Sequence, residues 1–86
     1  MPEAAEHRIK RLQMRSMRRG IKEMDLILGG FAQSGLAGMS EDALTLYDRM
    51  LNENDHDLYQ WVTGQAAAPA LYAGLISQIQ AGLPKG

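Results

Sequence analysis

Five apolar residues, Met17, Ile21, Met24, Leu28 and Phe31, recur at steps of four and three, a spacing that lines one face of an α-helix. Gly20 stands inside that stripe. A glycine in a helix interior costs about 1 kcal/mol relative to alanine, so the pattern predicts a break or kink there, between two helices. Upstream, Ile9, Leu12 and Ser16 suggest a first, weaker helix. Downstream, glycines at 29, 30, 35 and 38 predict that the second helix ends in a flexible connector.

The remaining chain keeps the helical period. Ser40 reads as an N-cap with Glu41 and Asp42 in the first turn, and Leu44, Tyr47, Met50 and Leu51 form the apolar face that follows. Asn54 or Asp55 caps a short fourth helix with Leu58, Trp61 and Val62 on one face, stopped by Gly64. Pro69 suits the first turn of a fifth helix with Tyr72, Leu75, Ile76 and Ile79 inward, closed by Gly82 and Pro84. Strand alternation and hairpin turns coincide nowhere. The expected fold is all-α, one small bundle of about five short helices spanning residues 1–86, with frayed ends at 1–6 and 83–86.

Composition narrows the function. A chain of 86 residues buries a modest core, which argues against a deep two-lobed active site. Having no cysteine excludes disulfides, a thiol nucleophile and thiolate metal ligands. No apolar run approaches the roughly 18 to 20 residues needed to cross a bilayer, so membrane insertion is not expected. Residues 1–23 hold seven Lys/Arg against three Glu, and residues 24–86 hold two against seven Asp/Glu. The first aromatic is Phe31, so the basic end lacks the interleaved aromatics of a nucleic-acid binder and suits an acidic protein surface better. Residues 7–22 are Arg-rich, but the acidic Glu6 precedes them and their pattern runs on into the domain. A cleaved leader is therefore not expected.

Few residues could carry chemistry. His7 and His56 share no helical offset, and neighbours in Asp55-His56-Asp57 point different ways on a helix, so no metal site and no catalytic set is expected. The glycines fit neither G-x-G-x-x-G nor G-x-x-x-x-G-K-[ST]. Arg19 and Glu23 admit several readings. On a continuous helix they form an i,i+4 pair in its less favourable order. With a break, Gly20 becomes the N-cap and Glu23 the third helical residue, whose carboxylate bonds the cap amide. A third reading leaves the bare Gly20 as a place where another protein approaches closely, with Arg19 and Glu23 supplying directional hydrogen bonds.

Arg19-Gly20-Ile21-Lys22-Glu23 resembles the RGxxE motif of the succinate dehydrogenase FAD assembly factors, the small bacterial SdhE proteins and their mitochondrial counterparts. Met24-Asp25-Leu26-Ile27-Leu28 and Phe31 match the pattern after that motif, and Asp55 to Val62 resembles the family's second signature, D-x-D-L-Y-x-W. The similarity covers roughly residues 8–64. It departs in the loop, where Gly29, Gly30, Gly35 and Gly38 replace bulkier residues, and in the Ala-rich C-terminal stretch.

The resemblance implies a five-helix chaperone-like factor, not itself an enzyme, that promotes covalent attachment of FAD to the flavoprotein subunit of succinate dehydrogenase or fumarate reductase. In that chemistry a client histidine bonds to the 8α-methyl carbon of the flavin. FAD then belongs to the client, and no cofactor is stably bound by the factor. The partner-binding residues it implies are Arg19, Gly20 and Glu23, with Arg15, Asp25, Asp57, Tyr59 and Trp61; for Trp61 a place in the core is the competing role. A bacterial cytoplasmic location is expected. Two rival readings are an antitoxin-like module paired with a membrane toxin, and a flavin transferase with its own FAD site.

Overall fold

A computed structural model of the chain describes residues 4–83. Among these lie five α-helices: α1 (Ala5–Arg15), α2 (Lys22–Gly35), α3 (Glu41–Met50), α4 (Asp55–Thr63) and α5 (Ala73–Ala81). A single 3-10 turn, Leu36–Gly38, extends α2, and no strand occurs among the described residues. The all-α expectation holds. Of the ends expected to fray, 1–3 and 84–86, with the closing Pro84, lie outside the described residues, whereas Ala5 and Glu6 are already helical.

Helix α2 is the centre of the bundle, touching α1, α4 and α5. Its Met24, Leu28 and Ala32, with Leu36 beyond, are fully buried at steps of four. This row explains why the glycine-rich segment is helix, against the expectation of a flexible connector. Burying a side chain such as Leu28 or Leu36 contributes about 1.5–3 kcal/mol, which outweighs about 1 kcal/mol for each interior glycine. At Gly29 the Met17 side chain, from the segment after α1, lies close over the helix.

The other helices add Leu12, Leu44, Tyr47, Met50, Leu51, Leu58, Val62, Tyr72, Leu75, Ile76 and Ile79 to one core cluster. Ser40 caps α3 by accepting from the Ala43 amide at 3.2 Å, and Asn54 caps α4 by accepting from His56 at 2.8 Å. Gly64 ends α4 in the left-handed region, at φ 80°. Pro69 does not open α5. Residues 69–72 form a turn closed by the Tyr72 amide on the Pro69 carbonyl at 2.9 Å, and the helix begins at Ala73. Gln80 of α5 donates to the Trp61 and Val62 carbonyls at 3.3 and 3.1 Å, joining the last two helices.

Among the described residues Ser16 is the one buried polar residue, just past the end of α1. Its hydroxyl donates to the Leu12 carbonyl at 2.7 Å and lies 2.6 Å from the Tyr47 hydroxyl. A serine has one proton to give, so Tyr47 supplies the second bond and ties α3 to the end of α1. Burial pushes the Tyr47 phenol above its usual 10.0, and the Arg19 charge offsets this only in part.

A raised folded-state value means that the neutral phenol contributes stability below pH 10, lost as the pH rises through the folded-state value. Tyr47→Phe should therefore lower stability by about 1 kcal/mol at pH 7 in urea unfolding. The gap to the wild type should narrow above pH 10; a gap that stays constant or widens to pH 11 would contradict this role for the phenol.

Candidate functional site

Six residues, 16–21, connect α1 to α2, and the break falls where Gly20 predicts it. Gly20 is not the cap, however. Ile21 holds that position in extended conformation (φ −120°, ψ 128°), which puts Glu23 in the second helical position and leaves it exposed. Met17, expected on the buried stripe, is 45% exposed in the bend, and Arg18 adopts the left-handed conformation at φ 56°. A non-glycine residue there costs about 1 kcal/mol, so its neighbours must hold it.

Arg19 is turned inward. Its Nε donates to Asp55 Oδ1 at 2.8 Å, Nη1 to the Arg15 carbonyl at 3.1 Å and Nη2 to the Leu51 carbonyl at 3.0 Å. The side chains of Arg19 and Asp55 are only 12% and 16% exposed. The i,i+4 reading of Arg19 and Glu23 thus gives way to a pair with α4, because Arg19 lies outside the helix. The second oxygen of Asp55 accepts the Gly20 amide at 2.5 Å, and Asp25 accepts the Arg19 amide. An added Cβ on Gly20 would lie 3.0 Å from Asp55 Oδ2. The close approach that needs a glycine is made within the chain.

The basic segment is likewise answered internally. Arg8 donates to Thr45 at 2.5 Å, Arg11 pairs with Asp48 at 3.2 Å, and Arg15 reaches Asp48 and, at 2.7 Å, Asn52. Lys10, Arg18 and Lys22 remain exposed, with Met14 and Leu26 each 70% exposed nearby in sequence. Farther along α2, a groove of about 350 Å³ runs between α2 and α5, lined by Leu26, Ile27, Phe31, Ile79 and Leu83 among others.

The structure therefore brings Arg15, Arg19, Gly20 and Asp25 together with Asp55. It leaves Glu23 and Asp57 exposed on the first turns of α2 and α4, apart from that network. Tyr59 and Trp61 are half-buried against the core, and the Trp61 ring lies 6.0 Å from that of Tyr72. Capping of α4 belongs to Asn54, which leaves Asp55 to Arg19. Sequence reasoning missed Asp55 as a site residue. Its signal was its place in the second motif beside a residue already suited to cap.

No group of three or more metal-ligating side chains occurs among the described residues, and no helix there is long and apolar enough to cross a membrane.

A family model described as "Flavinator of succinate dehydrogenase" matches residues 10–82. Proteins named succinate dehydrogenase assembly factor 2, mitochondrial, are similar to the chain: 42% identical over 74 residues in Danio rerio, covering 84% of this chain and 47% of that protein. The one from Schizosaccharomyces japonicus is 48% identical over 59 residues, covering 69% and 41%. In Saccharomyces cerevisiae the figures are 51% over 53 residues, covering 62% and 33%. The chain thus spans less than half the length of these relatives. The expected bacterial cytoplasmic location is overturned, since these relatives are eukaryotic proteins named as mitochondrial. That expectation rested on a leader pattern missing from residues 1–22, and a chain covering under half of its relatives carries no information on that point.

Two glycines test the geometry of the bend. Gly20→Ala should lower the melting temperature, by crowding the Asp55 carboxylate. Gly30→Ala, in the interior of α2 with nothing within 4 Å of the added Cβ, should raise stability by about 0.5–1 kcal/mol. Thermal unfolding followed by circular dichroism reads both; equal shifts of one sign would contradict the assignment.

Proposed function

The chain belongs to the family described as flavinators of succinate dehydrogenase, and from that membership we propose that it is an assembly factor for that enzyme's flavoprotein subunit. It promotes covalent FAD attachment by docking on this client near its flavin site. The flavoprotein of fumarate reductase is the second client that fits the same role. Docking uses the bend at 16–21 and the first turn of α2, with the motif residues Arg19, Gly20 and Glu23 at its centre and Arg15, Asp25, Asp57, Tyr59 and Trp61 around them.

The observation that carries this reading is the match over residues 10–82, which contains the whole bend and the carboxylate that holds it. A segment already ordered in its bound shape avoids about 1–2 kcal/mol of backbone entropy per residue on docking. Nucleophile and flavin both belong to the client. The factor is not itself an enzyme on this reading and keeps no FAD of its own. Its contribution is position, stabilising a client conformation in which the reacting groups meet.

The test is to produce the flavoprotein subunit with and without the chain and to compare covalent flavin by fluorescence in a denaturing gel, normalised to client. Several-fold more flavin with the chain present is expected, and no such gain with Gly20→Arg. Equal fluorescence with and without the wild-type chain would refute the assembly role. Calorimetry of the isolated chain with FAD should show no heat of binding; stoichiometric binding would favour a flavin carrier instead.

A further inference from the structure

One carboxylate holds both residues that open the RGxxE motif. Asp55 Oδ1 takes the Nε–H of Arg19 at 2.8 Å, and Oδ2 takes the amide of Gly20 at 2.5 Å. Nη1 and Nη2 each give one of their two N–H groups to the carbonyls of Arg15 and Leu51. With three of its five N–H groups engaged by α1, the end of α3 and α4, and its side chain only 12% exposed, this guanidinium offers a partner little surface to bond.

Resting on the function proposed above, we infer that Asp55 is a positioning residue of the docking site, and that Arg19 acts on client binding through Asp55 rather than by touching the client. The pair fixes the bend so that Arg18, Lys22 and Glu23, all exposed, present a set arrangement to the client.

The chemistry demands a carboxylate. Two N–H donors, one from a side chain and one from the backbone, converge on residue 55 from the same side of the bend, and each needs an acceptor. Asparagine has one acceptor oxygen, and its amide nitrogen would face the other donor. Asp55→Asn therefore keeps the size of the side chain and removes one of the two contacts. Two residues on, Asp57 sits exposed on the same helix and takes no part in this network. Arg18, held left-handed at φ 56°, lies directly before the clamped pair and relaxes once the clamp opens. A loosened bend must be ordered again at each docking event, so the loss falls on the concentration of factor needed and not on the rate once the client is saturated.

The experiment titrates wild type, Asp55→Asn, Arg19→Gln, Arg19→Lys and the Asp55→Asn/Arg19→Gln double variant against the flavoprotein subunit with FAD. It reads the initial rate of covalent flavin formation at a temperature where circular dichroism shows each variant folded. Each single variant should raise the half-saturating concentration about tenfold, the equivalent of one hydrogen bond to a charged group, with the plateau rate unchanged. Arg19→Lys should behave as Arg19→Gln, because an ammonium cannot reach all three acceptors. The double variant should be no worse than the worse single one.

Losses that multiply in the double variant, or an Arg19→Lys variant with wild-type half-saturation, would overturn the inference and leave the assembly role standing. A wild-type chain without effect on the client would overturn both. Independently of any client, the Gly20 amide proton of the isolated chain should move upfield in Asp55→Ala, which removes both acceptors. An unmoved resonance would show that the carboxylate does not hold the bend.

Discussion

The contact on which the arrangement of the bend depends is the double acceptance by the Asp55 carboxylate of the Arg19 guanidinium and the Gly20 amide. It joins α4 to the only stretch between α1 and α2, and it lies largely out of water. Hydrogen bonds of this charged kind contribute about 1.5–3 kcal/mol, whereas exposed pairs such as Arg11–Asp48 contribute about 0–1 kcal/mol. Loss of Asp55 would leave a guanidinium, mostly buried, without its counter-charge, a far larger cost than the loss of any pair along α1.

Around that contact the packing is arranged to keep the bend in place from several sides. Ser16 and Tyr47 fix its beginning to α3, the Met17 side chain lies across Gly29, and Asp25 accepts from the Arg19 amide. The segment is thus stationary without belonging to a helix. Arg18 on its outward side stands with Lys22 and Glu23 of the first turn of α2, and its inward side carries the bonds that hold it to the fold. A surface of this kind binds with little ordering cost, which suits a factor whose contribution to a reaction is the placement of another protein's groups.

Much of this was legible in the chain itself. Helices α3 and α4 follow from Ser40, Asn54 and Gly64 acting locally, and the break follows from Gly20 within an apolar stripe. The course of α2 through Gly29 and Gly30 was not legible, because the gain that outweighs two glycines comes from α1, α4 and α5 closing over Leu28, Ala32 and Leu36. The partner of Arg19 was hidden for a similar reason. A nearby Glu23 is visible in the sequence, whereas Asp55, 36 residues away, becomes the partner only when the bundle folds. The excess of positive charge near the N-terminus suggested an acidic partner; Arg8, Arg11, Arg15 and Arg19 find Thr45, Asp48, Asn52 and Asp55 within the chain, which leaves Lys10, Arg18 and Lys22 exposed.

The central claim is that residues 17–21 form a fixed surface in the free protein. Backbone amide relaxation by nitrogen-15 NMR reads this directly. Order parameters of about 0.8 or above through Arg18, Arg19 and Gly20, level with those of the flanking helices, are the predicted result. Values below about 0.6 confined to this stretch would show a mobile linker and contradict the account.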